Sequence, residues 1–118
     1  MSGESDRSQR VETSVHVYRL RLAPLAGGAV VFAWDYPGST LLRVRIVRTP
    51  AQSDRAGPNP EPSPEPGPDT PWRIVYDGDT GSFRDGGLPA AGAWRYAVFA
   101  RDGDGPWTLW RDEVVTLP

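Results

Sequence analysis

Apolar and polar residues alternate with a period of two along most of this chain, as they do in a strand with one buried face. Val15 to Leu22 (Val-His-Val-Tyr-Arg-Leu-Arg-Leu) is the first such stretch, and Ala23-Pro24 is expected to interrupt it. Ala29 to Trp34 is β-branched and aromatic, with Val30, Phe32 and Trp34 on one face, and it runs into the turn residues Asp35-Tyr36-Pro37-Gly38. Leu41 to Arg48 is the cleanest alternation: Leu42, Val44 and Ile46 form the core side, and Arg43 and Arg45 form a side expected to face water. Trp72 to Tyr76 and Thr80 to Arg84, joined by Asp77-Gly78-Asp79, read as a hairpin that breaks at Gly86-Gly87. Trp94, Tyr96, Val98 and Ala100 alternate with Arg95, Ala97, Phe99 and Arg101 before the turn Asp102 to Pro106, and Trp107 to Leu117 supplies the last strand.

Seven short strands with turn signals between them, and no stretch with a capped 3.6-residue apolar period, predict an all-β, seven-stranded antiparallel β-sandwich. Two segments stand outside this pattern. Residues 1–13 form a polar leader expected to be disordered. Residues 50–71 hold eight of the chain's 13 Pro. Because Pro fixes φ and removes backbone donors, this insert is expected to be an extended, solvated polyproline II loop. Setting both aside leaves roughly 83 of the 118 residues for residues 14–118 to build a core, close to the ~90 to 100 of a small sandwich.

Charge narrows the function classes. The 13 basic and 15 acidic residues give a net charge of −2, too balanced for phosphate neutralisation to drive binding, so no nucleic-acid partner is expected. Every basic residue other than His16 is Arg, which reads as the coding bias of a GC-rich, bacterial genome. There is no Cys, which excludes disulfides and thiolate metal sites. Residues 1–10 lack an apolar signal-peptide core, and the longest nearly apolar run, Ala26 to Trp34, falls short of the ~20 residues that span a bilayer, so no membrane insertion is expected.

Four landmarks resemble a fibronectin type III domain. Val30-Val31-Phe32-Ala33-Trp34-Asp35-Tyr36-Pro37 is similar to that family's second strand, with its buried Trp and following Pro. Gly87-Leu88-Pro89 followed by Trp94-x-Tyr96-x-Val98-x-Ala100 is similar to its Leu-Pro corner and sixth strand, with Trp94 at the position usually held by the Tyr of the tyrosine corner. The segments Ile46-Val47-Arg48, Val75 to Gly78, Phe83 to Asp85 and Tyr96 to Asp102 look like a bacterial subgroup of appended modules. The resemblance implies an immunoglobulin-like sandwich in a longer, extracellular or cell-surface chain, with an accessory role and no catalysis. Its members bind proteins, glycans or nothing, so the fold leaves the ligand open.

Nucleophilic catalysis needs a base beside a nucleophile, and the single His, His16, lies on an expected edge strand; the chain is read as a non-enzyme without cofactors. Asp77, Asp79 and Asp85 have suggestive spacing for Ca²⁺, but an EF-hand requires Asp or Asn where Gly81 stands, Gly where Ser82 stands and Glu where Leu88 stands, so they are read as turn residues. Arg43, Arg45, Arg95, Phe99 and Arg101 would project from one sheet as a candidate binding face for an acidic partner or glycan, or simply as a solvated face with cross-strand charge pairs. Trp107 and Trp110 have odd spacing and fall on opposite faces, where one could stack on a sugar or cap the sandwich edge over the Pro-rich loop. That loop offers one Pro-x-x-Pro, Pro68 to Pro71, beside Glu61, Glu65 and Asp69, the wrong charge for an SH3 ligand, and reads as a spacer. The function expected is a non-catalytic module for protein interaction or spacing in a larger bacterial protein. The alternative is a carbohydrate-binding accessory module for a cell-wall or extracellular glycan.

Overall fold

The structure is a computed structural model that describes residues 18–35, 42–51, 61–88 and 92–118. The leader, His16 and residues 52–60 of the insert therefore lie outside the described residues. Seven strands are present among those described: β1 (Tyr18–Leu25), β2 (Ala29–Asp35), β3 (Leu42–Pro50), β4 (Arg73–Gly78), β5 (Ser82–Asp85), β6 (Ala93–Asp102) and β7 (Thr108–Thr116). They form two antiparallel sheets, one in the order β1-β2-β5 and one in the order β4-β3-β6-β7. The chain is an all-β sandwich, as the alternation predicts.

The register follows from which side chains must be buried. Phe32 on β2 stands opposite Leu22 on β1 and Phe83 on β5. Ile46 on β3 stands opposite Val98 on β6. The facing sides of the two sheets enclose one core of Val30, Phe32, Trp34, Leu42, Val44, Ile46, Tyr96, Val98 and Ala100, all buried, with Leu20, Leu88, Val115 and Leu117 at its margins. Trp94 is half-buried against it. The Phe32 ring meets the Tyr96 ring edge-on at 5.0 Å, and Trp34 meets Tyr76 edge-on at 5.9 Å, both favoured aromatic geometries.

Three elements depart from the sequence reading. Ala23-Pro24 does not end β1, which continues to Leu25 with Pro24 opposite Val30. As an edge strand, β1 tolerates a residue with no N–H to give to the ladder. Trp72 precedes β4 instead of opening it and is buried against the outer side of the four-stranded sheet. The return strand β5 also begins two residues later than the pattern suggests, at Ser82.

One glycine is required by a close approach. Gly28, in the turn joining β1 to β2, has φ +81°, and its carbonyl accepts the Leu88 N–H at 2.9 Å. A Cβ there would stand 2.0 Å from the Leu88 carbonyl oxygen, so this crossing of turn and corner admits no side chain.

Candidate functional site

The outer side of the β4-β3-β6-β7 sheet gathers most of the candidate residues. On β3 the inward positions Leu42, Val44 and Ile46 leave Arg43, Arg45 and Val47 facing out. On β6 the inward positions Tyr96, Val98 and Ala100 leave Arg95, Ala97, Phe99 and Arg101 facing out. Arg43 pairs in register with Arg101, and Arg45 with Phe99, so the five side chains named from the sequence do share one face.

That face is not simply solvated, which corrects the expectation of a water-facing side. Val47, Trp72, Ala97 and Phe99 form a second buried cluster on it, joined by Trp107, and Phe99 is only 5 % exposed. The guanidinium of Arg95 lies 5.2 Å from the centre of the Trp72 ring, and those of Arg45 and Arg101 lie 4.7 and 4.5 Å from the centre of the Trp107 ring. Each is a cation–π contact strengthened by partial desolvation. The sheet therefore carries a thin outer layer in which the arginine stems and two indoles cover apolar residues.

Carboxylates complete this layer. Asp77 on β4 accepts the Arg43 Nε–H and an Arg45 Nη2–H, each at 2.8 Å. Burial pushes the Asp77 carboxyl up, but the hydrogen bonds and charges of Arg45 and Arg43 together hold it below the ordinary aspartate value. Arg95 donates to both oxygens of Asp112 on β7, at 2.8 and 2.7 Å, a bidentate pair that raises the Arg95 pKa against the opposing effect of burial. Part of the Pro-rich segment lies on the same face: Arg45 Nη1 donates to the Pro64 carbonyl at 2.8 Å and pairs with Glu65 at 3.2 Å. Residues 64–65 of the insert are therefore anchored here, in contrast to the extended, solvated loop expected.

Trp107 and Trp110 do fall on opposite sides, Trp107 against the outer cluster and Trp110 against the main core. At the margins of the outer face the half-exposed Ile74 (46 %), Leu109 (46 %) and Val114 (51 %) stand opposite Val47, Phe99 and Arg95. At the end of this sheet where Arg43 faces Arg101 opens a polar cleft of about 420 Å³ whose lining includes Arg43, Arg45, Asp77 and Arg101.

A second polar cluster lies between the sheets. Arg48 shares the inward side of β3 and binds Asp85 of β5 through both carboxylate oxygens at 2.9 and 2.8 Å. Asp85, 8 % exposed at its side chain, also accepts the Tyr96 hydroxyl at 2.7 Å. Burial, then the hydrogen bond and charge of Asp85, push the Tyr96 phenol well above its ordinary value. The Trp94 indole N–H has no hydrogen-bond partner among the described residues; the ring instead lies 4.9 Å from the Arg48 guanidinium.

Sequence reasoning missed Asp77, Asp112, Trp72 and Arg48 as members of these clusters. Parity could have found Arg48, which has the same strand phase as Leu42, Val44 and Ile46. Among the described residues no group of three or more His, Asp or Glu is placed to hold a metal ion, and no helix is long and apolar enough to cross a membrane. In comparisons with known proteins, no family model matches the chain and no curated protein matches it.

Proposed function

We propose that the chain is a fibronectin type III-like module of the immunoglobulin-like type. It acts without catalysis as a protein-interaction or spacer domain of a larger bacterial protein, engaging its partner through the outer face of β4-β3-β6-β7. The strand order β1-β2-β5 against β4-β3-β6-β7 supports the type, together with Trp34 and Leu88 in the core. The observation that carries the interaction reading is the composition of that face: Arg43 and Arg101 interleaved with aromatic rings, bordered by the half-exposed Ile74, Leu109 and Val114. Arg and aromatic residues set together in this way match the make-up of protein-binding surfaces.

Trp107 and Trp110 both contribute to packing, and two guanidinium groups already lie over the Trp107 ring. This favours a protein partner over a glycan stacked on indole. Affinity capture from host-cell extract tests the reading, using the wild-type chain and an Ile74→Asp/Leu109→Asp variant. A defined partner retained by the wild type and lost by the variant is expected. Equal retention by both, or retention of the wild type on insoluble polysaccharide instead, would contradict it.

A further inference from the structure

The polar cleft beside the outer cluster is lined by three arginines and three aspartates, but of these carboxylates only Asp77 is paired with an arginine among the described residues. Arg43 and Arg101 stand directly opposite each other across the β3-β6 pair, an arrangement of like charges that is unfavourable unless an anion lies between them. Asp77 serves Arg43 and Arg45 together, at 2.8 Å from each. Arg101 has no carboxylate partner among the described residues, and its buried Nε has no hydrogen-bond partner. What holds the Arg101 guanidinium in place is the Trp107 ring, 4.5 Å away, which leaves its terminal nitrogens uncommitted among the described residues. Arg43 uses only Nε toward Asp77, so its terminal nitrogens are also uncommitted among the described residues.

Resting on the interaction-module reading above, we propose that this cleft binds a carboxylate side chain of an extended acidic peptide, held bidentately by Arg101 with Arg43 completing the grip. The same face already holds a segment of that chemistry from the chain itself: the Pro64 carbonyl and the Glu65 carboxylate both engage Arg45, one strand away from Arg101. A planar guanidinium fork fixed by stacking loses little entropy on binding a carboxylate, which suits it to this role. Asp79 and Asp104, both exposed, also line the cleft. They repel a polyanion such as nucleic acid, so the occupant carries isolated carboxylates and not a run of negative charge.

The test follows the arginine Nε–Hε resonances of the full chain in heteronuclear NMR during titration. The probe is an acetylated, amidated peptide with the sequence of residues 60–66, Pro-Glu-Pro-Ser-Pro-Glu-Pro; parallel arms use its Gln-for-Glu twin, glucuronate and inorganic phosphate. The Glu peptide is expected to shift the Arg43 and Arg101 signals saturably, and the Gln twin to bind about tenfold more weakly or worse. Arg101→Gln is expected to abolish the response while its core amide spectrum stays that of the wild type, and Arg43→Gln to weaken it. Equal binding of the Gln twin, a response that survives Arg101→Gln, or a stronger response to glucuronate or phosphate than to the peptide overturns the proposal. If the peptide produces no response while Ile74→Asp/Leu109→Asp still abolishes partner capture, the cleft assignment fails and the interaction reading stands.

Discussion

Tyr96 donates its hydroxyl to Asp85 at 2.7 Å from the opposite sheet, and the same carboxylate receives Arg48. This joins β3, β5 and β6 through the interior of the sandwich, where each member satisfies the polar atoms of the others. Removing Asp85 deprives both Arg48 and the Tyr96 hydroxyl of this partner, which costs more than the net value of the bonds themselves, whereas removing the Tyr96 hydroxyl leaves Asp85 paired with Arg48.

Tyr96→Phe is therefore expected to lower stability by about 1 to 2 kcal/mol, and Asp85→Ala by about 3 kcal/mol because it strands Arg48. Urea unfolding of the three proteins measures both. Tyr96 also sets an alkaline limit. Its folded pKa is raised, so its contribution is complete below the ordinary tyrosine value of 10.0 and is lost as pH rises beyond it. Tyr96→Phe should flatten that alkaline loss.

Asp77 sets the acid counterpart on the outer face. Its folded pKa lies below the ordinary 3.8, so the stability it contributes is present above that value and is lost as pH falls through the lower folded pKa. The difference in melting temperature between the wild type and Asp77→Asn should hold at neutral pH and shrink in that acid window. A difference independent of pH would show that the Arg43 and Arg45 pairs contribute little.

Gly28 and Gly27 offer a matched pair. Both have positive φ, but only Gly28 faces a backbone atom where a Cβ would go, whereas nothing lies within 4 Å at Gly27. Gly27→Ala should cost about 1 kcal/mol from backbone strain alone, and Gly28→Ala clearly more, because the turn must also part from Leu88. Thermal unfolding decides; equal losses would contradict the close approach.

Trp72 carries the outer layer as the largest buried side chain on that face. Trp72→Ala should destabilise by about 3 kcal/mol or more and loosen the Pro64–Glu65 contact with Arg45. Faster proteolysis within residues 61–71 would report that loosening.

The inner half of this fold is legible in the chain because burial imposes a strict period of two: Val30, Phe32 and Trp34, then Leu42, Val44 and Ile46, declare the core side directly. The facing of Arg43, Arg45, Arg95, Phe99 and Arg101 is legible for the same reason. What covers them is not, because Trp72 and Trp107, which the pattern reads as the first residues of strands, lie just outside β4 and β7 and fold over the face together with residues 64–65, and periodicity within a strand carries no information about its cover. Pro24 shows a similar limit. Whether a Pro breaks a strand depends on its place at the sheet edge, and that is a property of topology, not of local sequence. The pairings of Asp77 and Asp112 likewise depend on which strands become neighbours.

Hydrogen exchange of the chain alone and in complex with its captured partner tests the central claim most directly. The account predicts slowed exchange along β4 and β7 and around Arg43 and Arg101, with β1 and β5 unchanged. Protection confined to the β1-β2-β5 sheet would contradict it.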